Sequence, residues 1–140
     1  DFMEYRTKVV RILNEENELQ EIAKVVGQDV ISDSKKWVLE VSKCIREGFL
    51  QQNATSDIDT YVPLLKQYKM MKLIIDIYES ADKMINDGIP LSEIKKTGFF
   101  ENYVRIKNEI SNIEMGKIDN MEDEYLEKLD KLAEGYSDIL

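Results

Sequence analysis

The sequence predicts an all-α fold, a single helical bundle of about five to six helices. Apolar residues recur at three- and four-residue spacing along most of the chain. Only two Pro and six Gly interrupt 140 residues, and no stretch alternates with the period of a strand. A chain of this length builds one core, so residues 1–140 read as one domain.

The first helix is expected from about Glu4 to Val26, because Val9, Ile12, Leu13, Leu19, Ile22, Ala23 and Val26 form an apolar stripe. Asn14 to Glu18 reads as a solvated polar patch on it. Gly27 ends the helix, where a left-handed residue costs glycine little. Asp29 to Ser34 form the next turn, with Ser32 or Asp33 as N-cap. Val38, Val41, Ile45 and Phe49, joined by Trp37 and Cys44, then carry a second helix to about Gln52. Gly48 within it permits close packing against another backbone.

Pro63 suits the first position of a third helix, since its missing N–H has no partner there. That helix should reach about Asn86. Its apolar residues, from Leu64 through Met70, Ile74 and Ile77 to Ile85, cover more than one stripe, which marks the central helix of the bundle. Gly88-Ile89-Pro90 stops it, and Pro90 to Lys96 reads as a short helix. Phe99 to Ile106 reads as another, with Thr97 as a candidate cap. Met115-Gly116-Lys117 breaks the pattern. A final helix is expected from about Asn120, capped by that residue, with Glu122, Asp123 and Glu124 favourable at its positive end.

Charge and composition exclude several kinds of function. Asp and Glu outnumber Lys and Arg by 28 to 19, leaving −9. That field repels a phosphate backbone, so no nucleic-acid partner is expected; a basic protein partner suits it better. The absence of His removes Ser-His and Cys-His centres and imidazole metal sites. The single Cys44 rules out an internal disulfide, fits a reducing compartment and lies on an apolar stripe. No apolar run approaches the ~18 residues of a membrane span. The start Asp1-Phe2-Met3-Glu4 resembles neither a signal peptide nor an initiator, which reads as a fragment.

No glycine-rich phosphate loop occurs. Asp57 with Asp59, and Glu15 with Glu16 and Glu18, lack the spacing of a calcium loop and read as solvated charge. The residues alone thus give no catalytic and no metal-ligating set. One segment stands out: Phe49-Leu50-Gln51-Gln52-Asn53 ends an apolar helix on three amide side chains, ahead of a polar loop through Asp59-Thr60-Tyr61 to Pro63.

With that segment, an ordered series of short matches carries a family resemblance. It comprises Leu19-Gln20-Glu21-Ile22, Val26-Gly27, Leu39-Glu40-Val41, Ile45-Arg46-Glu47, Lys66-Gln67 and Met70-Met71-Lys72. In this order and spacing the chain resembles the C-terminal helical domain of the catalytic alpha chain of V-type and A-type rotary ATPases, in archaeal and bacterial form. The core of the match covers residues 4–90, and 91–140 reads as a helical tail.

The resemblance implies two sites. Gln51, Gln52, Asn53, Ala54 and Thr55 would line the adenine side of a nucleotide pocket whose phosphate loop lies in a preceding domain. Family members usually carry an aromatic where this chain has Thr55, which implies a weaker stacking contact here. The amides also suit a plain helix cap. Gln28, Asp29, Val30, Ile31, Ser32, Asp33 and Ser34 would form a lever loop facing the rotor, its acidity muted by Lys35 and Lys36; an ordinary capped turn fits the same residues.

The resemblance further implies ATP and Mg²⁺ as ligands of the whole subunit, with none bound by this fragment alone. Partners would be the beta chain of the head and the central stalk, and the membrane would be reached only through the complex. The location would be cytoplasmic, in the soluble ATPase head. Ion-coupled ATP hydrolysis or synthesis would belong to the whole subunit, with this piece inactive by itself. The alternative is a free-standing acidic helical interaction module.

Overall fold

Helix α1 (Phe2–Val26) turns one face inward through Val9, Ile12, Glu16 and Leu19, spaced by three and four residues. The computed structural model describes residues 2–50, 64–106 and 116–137, and every regular element among them is helical, as the sequence predicts. Two features of α1 differ from expectation. Ile22 and Val26, expected on the buried stripe, are 50% and 46% exposed. Within the patch expected to be solvated, Glu16 is buried, and an arginine on the neighbouring segment neutralises it.

Gly27 (φ +85°) leads into a 3₁₀ turn over Gln28–Val30, and α2 follows over Asp33–Cys44. Ser32 is the N-cap: its Oγ accepts from the Lys35 backbone N–H at 3.4 Å. Trp37, Val38, Val41 and Cys44 are buried along α2. The helix expected to reach about Gln52 continues past Cys44 as far as Leu50, and Gln51 and Gln52 lie outside the described residues. It widens into a π-helical segment, Ile45–Leu50.

Gly48 accounts for the close packing at this widening. A Cβ there would sit 2.7 Å from Tyr103 Cδ1 and 3.3 Å from the Val104 Cα, so the expected approach of another backbone is met.

Helix α3 (Leu64–Asn86) is the central element, packed against α1, α2, the π segment and the last helix. Leu73, Ile74, Ile75, Ile77 and Ala81 are buried almost completely. Its C-terminus closes as a Schellman motif. Ile89 N–H donates to the Met84 carbonyl at 3.1 Å and Gly88 N–H to Ile85 at 3.0 Å, with Gly88 at φ +107°.

Two short helices follow, α4 (Leu91–Lys95) and α5 (Phe99–Val104). Thr97 does not cap α5. Its hydroxyl donates backwards to the Ile94 carbonyl at 2.8 Å, and Gly98 takes the N-cap position at φ +78°, which a β-branched residue resists.

The last helix, α6 (Gly116–Ser137), starts one turn earlier than expected, so Asn120 lies inside it rather than capping it. The extra turn is held by Ile118, 1% exposed, and by an ion pair from Lys69 to Asp119. Glu122 is not a solvated charge at the helix start; it is buried against Lys72 of α3.

Candidate functional site

Of the two sites implied by the sequence, one lies within the described residues. Gln51, Gln52, Asn53, Ala54 and Thr55 lie outside them, as do Pro63, the Asp57–Asp59 pair and Met115. What the structure gives of that first site is its approach: the π-helical segment ends at Leu50, immediately before Gln51.

The turn Gln28–Ser34 is built from two fixed ends and a projecting tip. At its start, the Gly27 N–H donates to the Ala23 carbonyl at 2.9 Å, closing α1. The tip is a 3₁₀ turn, with Ile31 N–H donating to the Gln28 carbonyl at 3.2 Å. At its end, Ile31 turns inward to 9% exposure and Ser32 caps α2.

The side chains that follow fasten the turn to the bundle. Asp33 Oδ2 accepts from the Leu91 backbone N–H at 3.0 Å, joining the start of α2 to the start of α4. Ser34 Oγ donates to Asp82 Oδ1 on α3 at 3.2 Å. Lys35 pairs with Glu15 of α1 at 3.2 Å. The turn is thus tied to three helices.

Its outward surface is more apolar than acidic. Val30 is 73% exposed, and Val25 on the adjoining turn of α1 is 85% exposed; Ile22 and Val26 continue the patch. Asp33 is occupied by its bond to Leu91, so Asp29 is the carboxylate the tip presents to solvent. Sequence reasoning missed Val25. No local signal marks it, because neighbours about 100° apart on a helix can share one wide apolar face, as Ile12 and Leu13 do.

The interior offers structure rather than reactivity. Burial pushes the Cys44 thiol well above its usual range, with Glu47, Glu40 and Glu101 adding to the effect, so it stays protonated and a poor nucleophile. The Tyr103 hydroxyl, fully buried, donates to the Met70 carbonyl at 3.1 Å. Among the described residues no group of three or more carboxylates and thiols converges as metal ligands, and no helix is long and apolar enough to cross a membrane.

Comparison with known proteins identifies relatives of this chain. The family described as the C-terminal domain of V and A type ATP synthase matches residues 1–95. The V-type ATP synthase alpha chain 2 of Clostridium tetani is 43% identical over 136 residues, which is 97% of this chain. An A-type ATP synthase subunit of Sulfolobus acidocaldarius is 41% identical over 94% of it. Identity with the V-type ATP synthase alpha chain of Halothermothrix orenii is 37% over 99%.

These alignments run well past Pro90, so the likeness takes in the tail as well as the core. The chain spans only 23% of the length of the Clostridium tetani relative. The match favours the rotary-ATPase reading over an unrelated interaction module. The chain belongs to the family of C-terminal domains of V-type and A-type ATP synthases.

Proposed function

We propose that this chain is the lever domain of the catalytic alpha chain of a rotary V/A-type ATPase or ATP synthase, peripheral to the membrane in the soluble head. The whole subunit would bind ATP with Mg²⁺, and this domain would pass the motion of the nucleotide site to the central stalk, next to the beta chain of the head. The observation that carries this reading is the turn at Gly27–Ser34. A lever needs a stiff tip with a surface to push with. Here Ile31, Asp33 and Ser34 fix the tip to the bundle while Val25 and Val30 stand exposed beside it.

Gln51 to Thr55 would supply the adenine-side wall. An adenine ring is held by flat apolar surface and a few amide or backbone hydrogen bonds. The π-helical segment that leads into these residues supports the reading, because such turns recur at functional sites. The phosphate loop and the catalytic groups for hydrolysis or synthesis would come from the rest of the subunit.

The test is Val25→Asp with Val30→Asp in the assembled head complex. Both side chains are exposed, so folding should be unaffected. The expected result is reduced torque on the stalk with nucleotide affinity retained. Unchanged torque would overturn the lever assignment.

A further inference from the structure

A cleft of about 620 Å³ opens between α1, α2 and α4. On a chain of net charge −9 its lining is locally basic: Lys24, Lys36, Lys43, Arg46 and Lys95 face three carboxylates, Glu16, Asp29 and Glu40. Most of these charges are already matched. Arg46 holds Glu16 at 2.7 Å, Lys95 holds Glu40 at 3.2 Å, and Lys24 pairs with Glu21 at 3.2 Å. Among the described residues, Lys36 and Lys43 make no ion pair. Both lie on α2, two turns apart on one face, about 10 Å along the axis. Ala23, Ile31, Leu39 and Leu91 supply apolar wall between the charges.

We propose that this cleft docks an acidic helical segment of another protein, its carboxylates two turns apart and an apolar residue between them. Carboxylates at that spacing match the Lys36–Lys43 pair, and the intervening side chain meets Leu39 and its neighbours. Two ammonium groups separated along a helix suit two separate carboxylates better than one compact anion, and an apolar wall has no use for phosphate. The proposal rests on the unpaired lysines; the cleft shares Asp29 and Ile31 with the Gln28–Ser34 turn, but peptide binding through Lys36 and Lys43 is read without torque, so either reading can fail alone.

The experiment uses the full subunit carrying this chain and a fluorescein-labelled alanine-based helical peptide. The peptide has two Glu residues two turns apart around a central Leu; its twin has Gln in place of both Glu. Fluorescence anisotropy at low salt should show binding of the Glu peptide, weakening as salt is added. Lys36→Glu with Lys43→Glu should weaken binding by about tenfold or more. The same variant should bind a peptide in which both Glu are replaced by Lys.

Lys36→Gln with Lys43→Gln serves as the milder variant, and thermal unfolding checks that each is folded. Equal binding of the Gln twin would overturn the proposal, as would an affinity insensitive to charge reversal. Binding of tripolyphosphate through these lysines with no binding of the Glu peptide would also overturn it, in favour of a small-anion site.

Discussion

Arg46 reaches back from the π-helical segment to Glu16 on α1, its Nη2 lying 2.7 Å from Oε2, with the Glu16 side chain 7% exposed and that of Arg46 48% exposed. The partly wet arginine compensates a nearly dry carboxylate, so the two substitutions should not add. Arg46→Met strands a buried charge and should cost about 2–3 kcal/mol. Adding Glu16→Leu should recover most of that loss, because an apolar pair replaces an ionic one. Urea unfolding followed by Trp37 fluorescence measures both. A double variant no more stable than Arg46→Met would show that the pair is not coupled.

Gly48 is the position where the core has no slack. An added methyl would meet the Tyr103 ring at 2.7 and 2.8 Å, and that ring is fully buried with its hydroxyl bonded to the Met70 carbonyl. Neither the ring nor the Val104 backbone is a flexible end that can swing aside. Gly48→Ala should therefore destabilise by about 1–3 kcal/mol despite the better helix propensity of alanine. The expected reading is a lower urea midpoint at unchanged slope. An unchanged midpoint would mean that α5 can shift away.

Much of this was legible in the sequence, and the exceptions share a cause. Local patterns gave α2's Ser32 cap, the Gly27 stop and the central standing of α3, because each depends on residues within a turn or two. The buried carboxylates were not legible. Glu16 and Glu122 sit in polar stretches, and only tertiary packing brings Arg46 and Lys72 to them. The same holds for the early start of α6, which depends on Ile118 and on Lys69 of a distant helix. For the candidate site, the boundaries of the Gln28–Ser34 turn were readable, but its apolar outer surface was not. A hydrophobic stripe on a helix does not say where its partner ends.

Lys72 of α3 joins Asp76, at 3.1 Å, to Glu122 of α6, and Tyr5 of α1 donates to Asp76 at 3.0 Å. Burial raises the Glu122 carboxyl above the usual range and Asp76 adds to it, against the opposing bond from Lys72. Burial alone would lower the Lys72 ammonium, but its bonds to Glu122 and Asp76 carry it above its ordinary value. For Glu122 the folded state binds the proton more tightly than the unfolded chain does. Its contribution is thus most favourable below the ordinary carboxylate pKa and is lost as pH rises through the raised folded value. Compared with Glu122→Gln, the wild type should lose relative stability in the window above the ordinary carboxylate pKa, as pH rises through the raised folded value. A stability difference that is flat or rises over that window would contradict the sign.

Thr55 departs from the aromatic that the family resemblance implies. If the segment lines an adenine site in the whole subunit, Thr55→Phe should add a stacking surface worth about 1 kcal/mol, or roughly fivefold tighter ATP. Equilibrium binding of ATP to the full subunit measures this. Unchanged or weaker affinity would count against the pocket role of Gln51 to Thr55 while leaving the proposed lever role of Gln28 to Ser34 untouched.

Asp33 tests how the turn is held. Its Oδ2 takes the Leu91 backbone N–H at 3.0 Å, a first-turn donor with no partner inside α4. Asp33 also opens α2, where any carboxylate is favoured by the helix dipole. Two variants separate these effects. Asp33→Asn keeps an acceptor oxygen and loses the charge; Asp33→Ala loses both and should cost about 1–2 kcal/mol. Amide hydrogen exchange at Leu91 should quicken strongly in the alanine variant and little in the asparagine variant. Equal protection in all three proteins would show that the tie is not made in solution. If the tie is made, loosening it leaves Val30 exposed as before but frees the turn from α4. On the proposed lever reading, Asp33→Ala in the assembled head should then weaken torque without altering the apolar tip, separating the stiffness of the turn from its exposed surface.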